Sequence, residues 1–162
     1  MKFKLSIILF FVATIMFAQK SPRKQSTGEV AGAKIEVDYG APSVRGRVIF
    51  GDLVKFDNVW RAGANENTTM SFSKDVKING KSLPAGKYGF FMIPRKSGDW
   101  DLIFSKKNDA WGSNGYTEDN DQLRVQVTPK NTDTSVEMMR FVVTESGIQF
   151  AWDKTSWMIS VN

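Results

Sequence analysis

The run Val76-Lys77-Ile78-Asn79-Gly80-Lys81-Ser82-Leu83-Pro84-Ala85-Gly86-Lys87-Tyr88-Gly89-Phe90-Phe91-Met92-Ile93 decides the fold class. Val76 and Ile78 alternate with a polar residue and enter Asn79-Gly80. Both positions of that dipeptide accept positive φ, which a two-residue hairpin turn requires. Leu83 follows on the return strand, and Pro84-Ala85-Gly86 makes a second turn. Tyr88 to Ile93 is then apolar on both faces, which predicts a central strand. Pro94 stops it, because proline has no amide proton for the ladder.

The same two-residue period extends outward in both directions. Ile35, Val37 and Tyr39 alternate with Lys34, Glu36 and Asp38, and Met70 and Phe72 alternate with Thr69, Ser71 and Ser73. On the other side come Trp100, Leu102 and Phe104, then Leu123, Val125 and Val127, then Val136 to Val143. Ser146-Gly147 turns into Ile148, Phe150 and Trp152, and Trp157, Ile159 and Val161 close the chain. Period-two alternation marks half-buried strands, and no window carries a 3.6-residue apolar period. Many short strands between Gly, Pro and Asn turns predict an all-β fold, a single antiparallel β-sandwich or jelly-roll-like domain. The expected division is residues 1–18 signal peptide, 19–32 flexible leader and 33–162 β-sandwich. The longest irregular stretch is Ser105 to Asp121, and long loops in compact domains are often functional.

The signal peptide reading rests on Lys2 and Lys4, then an apolar stretch from Leu5 to Phe17 of about 13 residues, against roughly 20 for a membrane span. Cleavage is expected after Ala18. That makes the protein exported, periplasmic or extracellular, with no transmembrane helix. No Cys stands near the cut, so no lipid anchor is expected. Gln19 to Gly32 is rich in Ser, Gly and Thr and reads as a flexible leader.

Composition narrows the chemistry. The 162 residues suit one domain and contain no Cys and no His. That excludes disulfides, thiolate nucleophiles, Ser-His-Asp triads and zinc sites built on Cys or His. Losing Lys2 and Lys4 lowers the formal net charge from +5 to about +3. That balance does not call for nucleic acid, which needs dense clustering of Lys and Arg on one face.

Two stretches are candidates for binding. Tyr39 to Arg47 carries Arg45 and Arg47, and Val59 to Asn67 sets Trp60, Arg61, Asn65 and Glu66 among small residues. Small residues allow close backbone approach, and arginine offers a rigid two-pronged donor for carboxylate, phosphate or sulfate. Arg45, Arg47 and Arg61 are expected to hold negative groups. Trp60, Trp111 and Tyr116, all in loop-like context, could stack on a sugar face. The plain structural alternative is an Arg61–Glu66 pair tying loops together, with Trp60 and Trp111 plugging the ends of the core.

Asn108 to Asp121 offers Asp109, Glu118, Asp119 and Asp121 as oxygen ligands, but not in the spaced pattern of a Ca²⁺ loop. It reads as an acidic surface loop, and no metal or cofactor is expected. Catalysis without His would need paired carboxylates, and Glu66 with Asp109, Asp119 or Asp121 is the sensible pair for glycoside hydrolysis. Asn79-Gly80-Lys81-Ser82 ends like a phosphate-binding loop but lacks the first glycine, where Asp75 stands. Asn67-Thr68-Thr69 is a glycosylation sequon in form.

Several of these residues carry a resemblance. Tyr39-Gly40, Pro42-Ser43-Val44, Gly46-Arg47, Ile49-Phe50-Gly51, Trp60-Arg61, Gly63-Ala64-Asn65-Glu66, Pro84-Ala85-Gly86-Lys87-Tyr88, Ile93-Pro94, Trp100 and Trp111-Gly112 resemble a bacterial family of secreted proteins. That family is classed as a domain of unknown function, the one numbered twenty-nine eleven. The resemblance runs from about Ser21 to the C-terminus and implies a signal peptide and a β-rich domain, with no established activity. Family members often carry Arg after Tyr-Gly, where this sequence has Ala41.

The expected function is a non-catalytic binding module for a small anionic or sugar-like ligand, with a site joining the Arg45–Arg47 turn to the Trp60–Glu66 loop. A carbohydrate-acting hydrolase using Glu66, or a structural envelope protein with a protein partner, are the alternatives.

Overall fold

The computed structural model describes residues 20–162. The segment expected to be a signal peptide lies outside the described residues. Ten strands follow in chain order: β1 (Arg23–Val30), β2 (Ala33–Gly40), β3 (Thr68–Phe72), β4 (Val76–Ile78), β5 (Lys81–Leu83), β6 (Gly86–Ile93), β7 (Trp100–Ser105), β8 (Asp121–Val127), β9 (Lys130–Thr144) and β10 (Gly147–Ser160).

One layer is a six-stranded antiparallel sheet in the order β1-β2-β3-β6-β7-β8. The second layer combines the β9–β10 and β4–β5 hairpins. β10 doubles back at Asp153, which has φ 49°. The return is visible in Phe150 and Trp157, whose rings stack 5.1 Å apart, and in the Val161 N–H donating to Ser146 O at 3.1 Å. Lys77 and Asn162 exchange main-chain hydrogen bonds of 2.7 and 3.1 Å, which joins β4 to the chain just past β10. The molecule is therefore all-β, antiparallel and sandwich-like.

The alternation read from the sequence sets the layers. Ile35, Val37 and Tyr39 of β2 face Phe141, Phe150 and Trp157 across one core, together with Tyr88, Phe90 and Met92 of β6. Phe91, Ile93 and Ile103 point to the other face, where Val59 and Tyr116 cover them in a smaller cluster. Two-sided burial of β6 follows from cover on both faces of the sheet, the main core on one side and Val59 and Tyr116 on the other. Asn79 and Gly80, at φ 47° and 80°, make the turn of the β4–β5 hairpin. Asn67 is buried and its side-chain amide donates to Phe90 O, so the sequon is no surface acceptor.

One expectation is corrected. Residues 19–32 read as a flexible leader, yet Arg23–Val30 forms β1 and pairs with β2 along its whole length. Its small residues answer to packing. The Val143 side chain stands 2.6 Å from where a Cβ on Gly28 would sit, and the Ser26 hydroxyl accepts from the Val143 N–H at 3.0 Å. A strand on the sheet edge, half solvated, needs few apolar side chains. The sandwich thus begins before residue 33.

Candidate functional site

Two loops meet beside the start of β1. The first leaves Trp60, whose backbone exchanges hydrogen bonds of 2.7 and 2.8 Å with Met92. It passes Ala62 and Asn65, both at positive φ (53° and 63°). Such a conformation strains a residue with a Cβ, although Asn tolerates it better than Ala. Local contacts hold it in place. The Thr68 hydroxyl donates to Ala62 O at 2.9 Å, and the Ala64 N–H donates to Gly40 O at 3.2 Å. Gly40 permits that approach, because a Cβ there would sit 2.1 Å from Ala64 O.

The second loop is the long stretch after β7. Glu66 bridges Trp111, with the Asn67 N–H donating to Ala110 O at 3.0 Å and the Gly112 N–H to Asn65 O at 3.2 Å. This fixes the backbone of Trp111 while the residue remains 62% exposed. Arg23 locks the arrangement from β1. Its guanidinium donates to Asp38 Oδ1 at 2.7 Å, Glu66 O at 3.2 Å and Asn67 O at 3.0 Å.

Around the indole lie Lys20, with Nζ 6.0 Å from the ring centroid and 3.8 Å from Glu66 Oε1, and Asn65, whose amide donates to Ser21 O at 3.5 Å. A shallow cleft of about 560 Å³ is lined by Lys20 to Arg23 with Asn65 and Glu66. Arg61 runs beside the same turn, with Nη1 3.7 Å from where a Cβ on Gly112 would be. Its Nε is buried and has no hydrogen-bond partner. Burial pushes its pKa down from the ordinary value, because the charged form has lost water.

The expected residues are partly brought together. Arg61, Asn65, Glu66 and Trp111 share this corner. Arg61 and Glu66 do not pair: Glu66 faces Lys20, and Arg61 makes no ion pair among the described residues. Trp60 is half-buried and stacks on Trp152, packed against the main core rather than beside Trp111. Tyr116 is half-buried, its hydroxyl donating to Asp121 and accepting from Arg124. The Arg45–Arg47 turn is fastened to β9, where the Arg45 N–H donates to Glu137 Oε1 at 2.9 Å. Arg47 directs Nε and Nη2 to the carbonyls of Val44 and Ser43 in its own turn. Ala41 is fully buried, with its N–H donating to Pro22 O at 2.8 Å.

Lys20 and Arg23 escaped the sequence reading because they sat in the presumed leader. The one available signal was Asp38, an acidic residue on the solvent face of β2 awaiting a partner. Of the carboxylates considered with Glu66, Asp121 is bound by Arg124 at 2.9 Å. Asp109 is bound by Lys107 at 3.0 Å, which holds its carboxyl below the usual range. No group of three or more acidic residues among the described residues is placed to hold a metal ion, and no helix there is long and apolar enough to cross a membrane.

No curated protein and no solved structure matches the chain. The family model described as a protein of unknown function, DUF2911, matches residues 21–161, from the cleft-lining Ser21 to the last core residue of the second layer, and the chain belongs to that family.

Proposed function

We propose that this protein is an exported, non-catalytic binding module whose ligand is a small anionic or sugar-like molecule seated at Arg61 and Trp111. The observation that carries the reading is Arg61. A guanidinium that is partly desolvated, with a buried donor and no ion pair among the described residues, is unfavourable unless an acceptor completes it. A carboxylate, phosphate or sulfate oxygen supplies that acceptor with charge-assisted strength. Trp111 adds a rigid apolar face for a sugar ring, and Asn65, Glu66 and Lys20 sit where hydroxyls would be recognised. Binding is favoured over hydrolysis by Glu66, because two of its three candidate partner carboxylates, Asp109 and Asp121, are engaged by basic partners of their own.

Thermal melting against sugars, inorganic anions, nucleotides and Ca²⁺ tests the reading. A ligand at about 100 times its Kd adds ~2.7 kcal/mol to stability, a shift of several degrees for a domain of this size. One ligand class should raise Tm, and Arg61→Ala should abolish the rise. A flat panel would contradict the proposal and favour a protein partner.

A further inference from the structure

A second cleft, of about 390 Å³, opens where the turn after β6 meets the β8–β9 connection and the bend of β10. We propose that it is a separate binding site for a small hydroxylated ring carrying one acidic group, of the uronic-acid type. Its floor is aromatic. Phe50 lies against Trp100 with ring centroids 4.6 Å apart, and Trp100 is anchored by its indole N–H on Arg95 O at 3.0 Å. Phe56 is held by Gly51, whose φ is 100° and whose absent Cβ would stand 2.7 Å from the Phe56 ring. With Trp100 buried beneath them, the partly exposed Phe50 and Phe56 offer apolar area with little entropy left to lose on binding.

The polar groups around that floor divide into spent and unspent. Arg95 is engaged by Asp57 at 2.9 Å and Asp101 at 2.7 Å, and the Thr128 hydroxyl donates to Asp99 at 2.6 Å. Lys96, the Asn131 amide and the Thr155 hydroxyl line the same cleft and have no side-chain partner among the described residues. One uncommitted cation matches one acidic group, and an amide and a hydroxyl match ring hydroxyls. A cavity of a few hundred cubic ångströms suits a single ring. Phe50 also packs edge-on against Trp60, so the inward turn of Trp60 buttresses this floor.

The test is an NMR titration of the purified protein with methyl β-glucuronide, and with methyl β-glucoside as the neutral control. The glucuronide should shift the amide signals of Ser97 and Gly98 and the Trp100 indole signal. Phe56→Ala should weaken binding about tenfold. Lys96→Gln, on an exposed turn that leaves the core untouched, should reduce the glucuronide to the level of the glucoside. Shifts confined to Trp111 and Gly112, no shifts at all, equal binding of the glucoside by the wild-type protein, or undiminished binding by a folded Lys96→Gln variant would each overturn the proposal.

Discussion

The indoles of Trp60 and Trp152 lie face to face, with centroids 5.6 Å apart and planes inclined by 19°. Phe50 and Phe150 close on the edges of Trp60 at 6.0 and 6.5 Å. Two tryptophans that look alike in the sequence therefore do opposite work. Trp60→Ala should remove about 3–5 kcal/mol of stability, the range for large aromatic truncations in a core. Trp111→Ala should change stability by no more than about 0.5 kcal/mol. Urea unfolding of the two variants checks the contrast, and equal effects would contradict it.

Gly40 holds the two-loop corner to the sheet. A methyl group there meets Ala64 O at 2.1 Å, and backbone cannot yield as a flexible side chain does. Gly40→Ala should cost about 1–3 kcal/mol, as overpacking does. It should also displace Asn65 and Glu66 from Trp111. The expected outcome is a lower urea midpoint together with loss of any ligand-induced rise in Tm.

Tyr116 reports on the long loop. Burial pushes its phenol up to about 12, with the hydrogen bond to Asp121 adding to the effect. The folded state thus keeps a proton that the unfolded chain releases near the ordinary value of 10.0. Stability from this group is intact below about pH 10, falls as pH rises from there, and levels off above about pH 12. Ultraviolet titration should show Tyr116 ionising well above the ordinary range. Tyr116→Phe should flatten the alkaline loss of stability, and an unchanged slope would contradict the assignment.

Arg61 should matter to binding and little to folding. With no ion pair to lose among the described residues, Arg61→Met replaces an unsatisfied buried donor by an apolar chain of similar length, an exchange that is often neutral or stabilising. Urea unfolding should give a midpoint equal to or above that of the parent. A drop of several kcal/mol would mean that Arg61 is structural.

The layers of the fold were legible because period-two alternation and the Asn79-Gly80 turn are local signals. The β1 edge was not. Arg23 to Val30 pairs through its main chain, and its Ser and Gly answer to Val143, more than a hundred residues away. That Arg61, Asn65 and Glu66 lie at one corner was legible, because an arginine among small residues signals close approach in any fold. The sequence leaves Trp60 open between ligand face and core plug, because side-chain direction at a loop residue depends on which strand its backbone pairs with, here Met92. Lys20 and Arg23 were missed for the same reason as β1.

If Arg61 and Trp111 receive one ligand together, as proposed, both should respond to it in step. The most direct measurement follows the Arg61 Nε–H and Trp111 indole N–H signals of ¹⁵N-labelled protein as phosphate, sulfate and acidic sugars are added. One of these should move both signals along a single saturating curve. If neither signal moves while exposed lysines and arginines respond, Arg61 is not a ligand site and the claim fails.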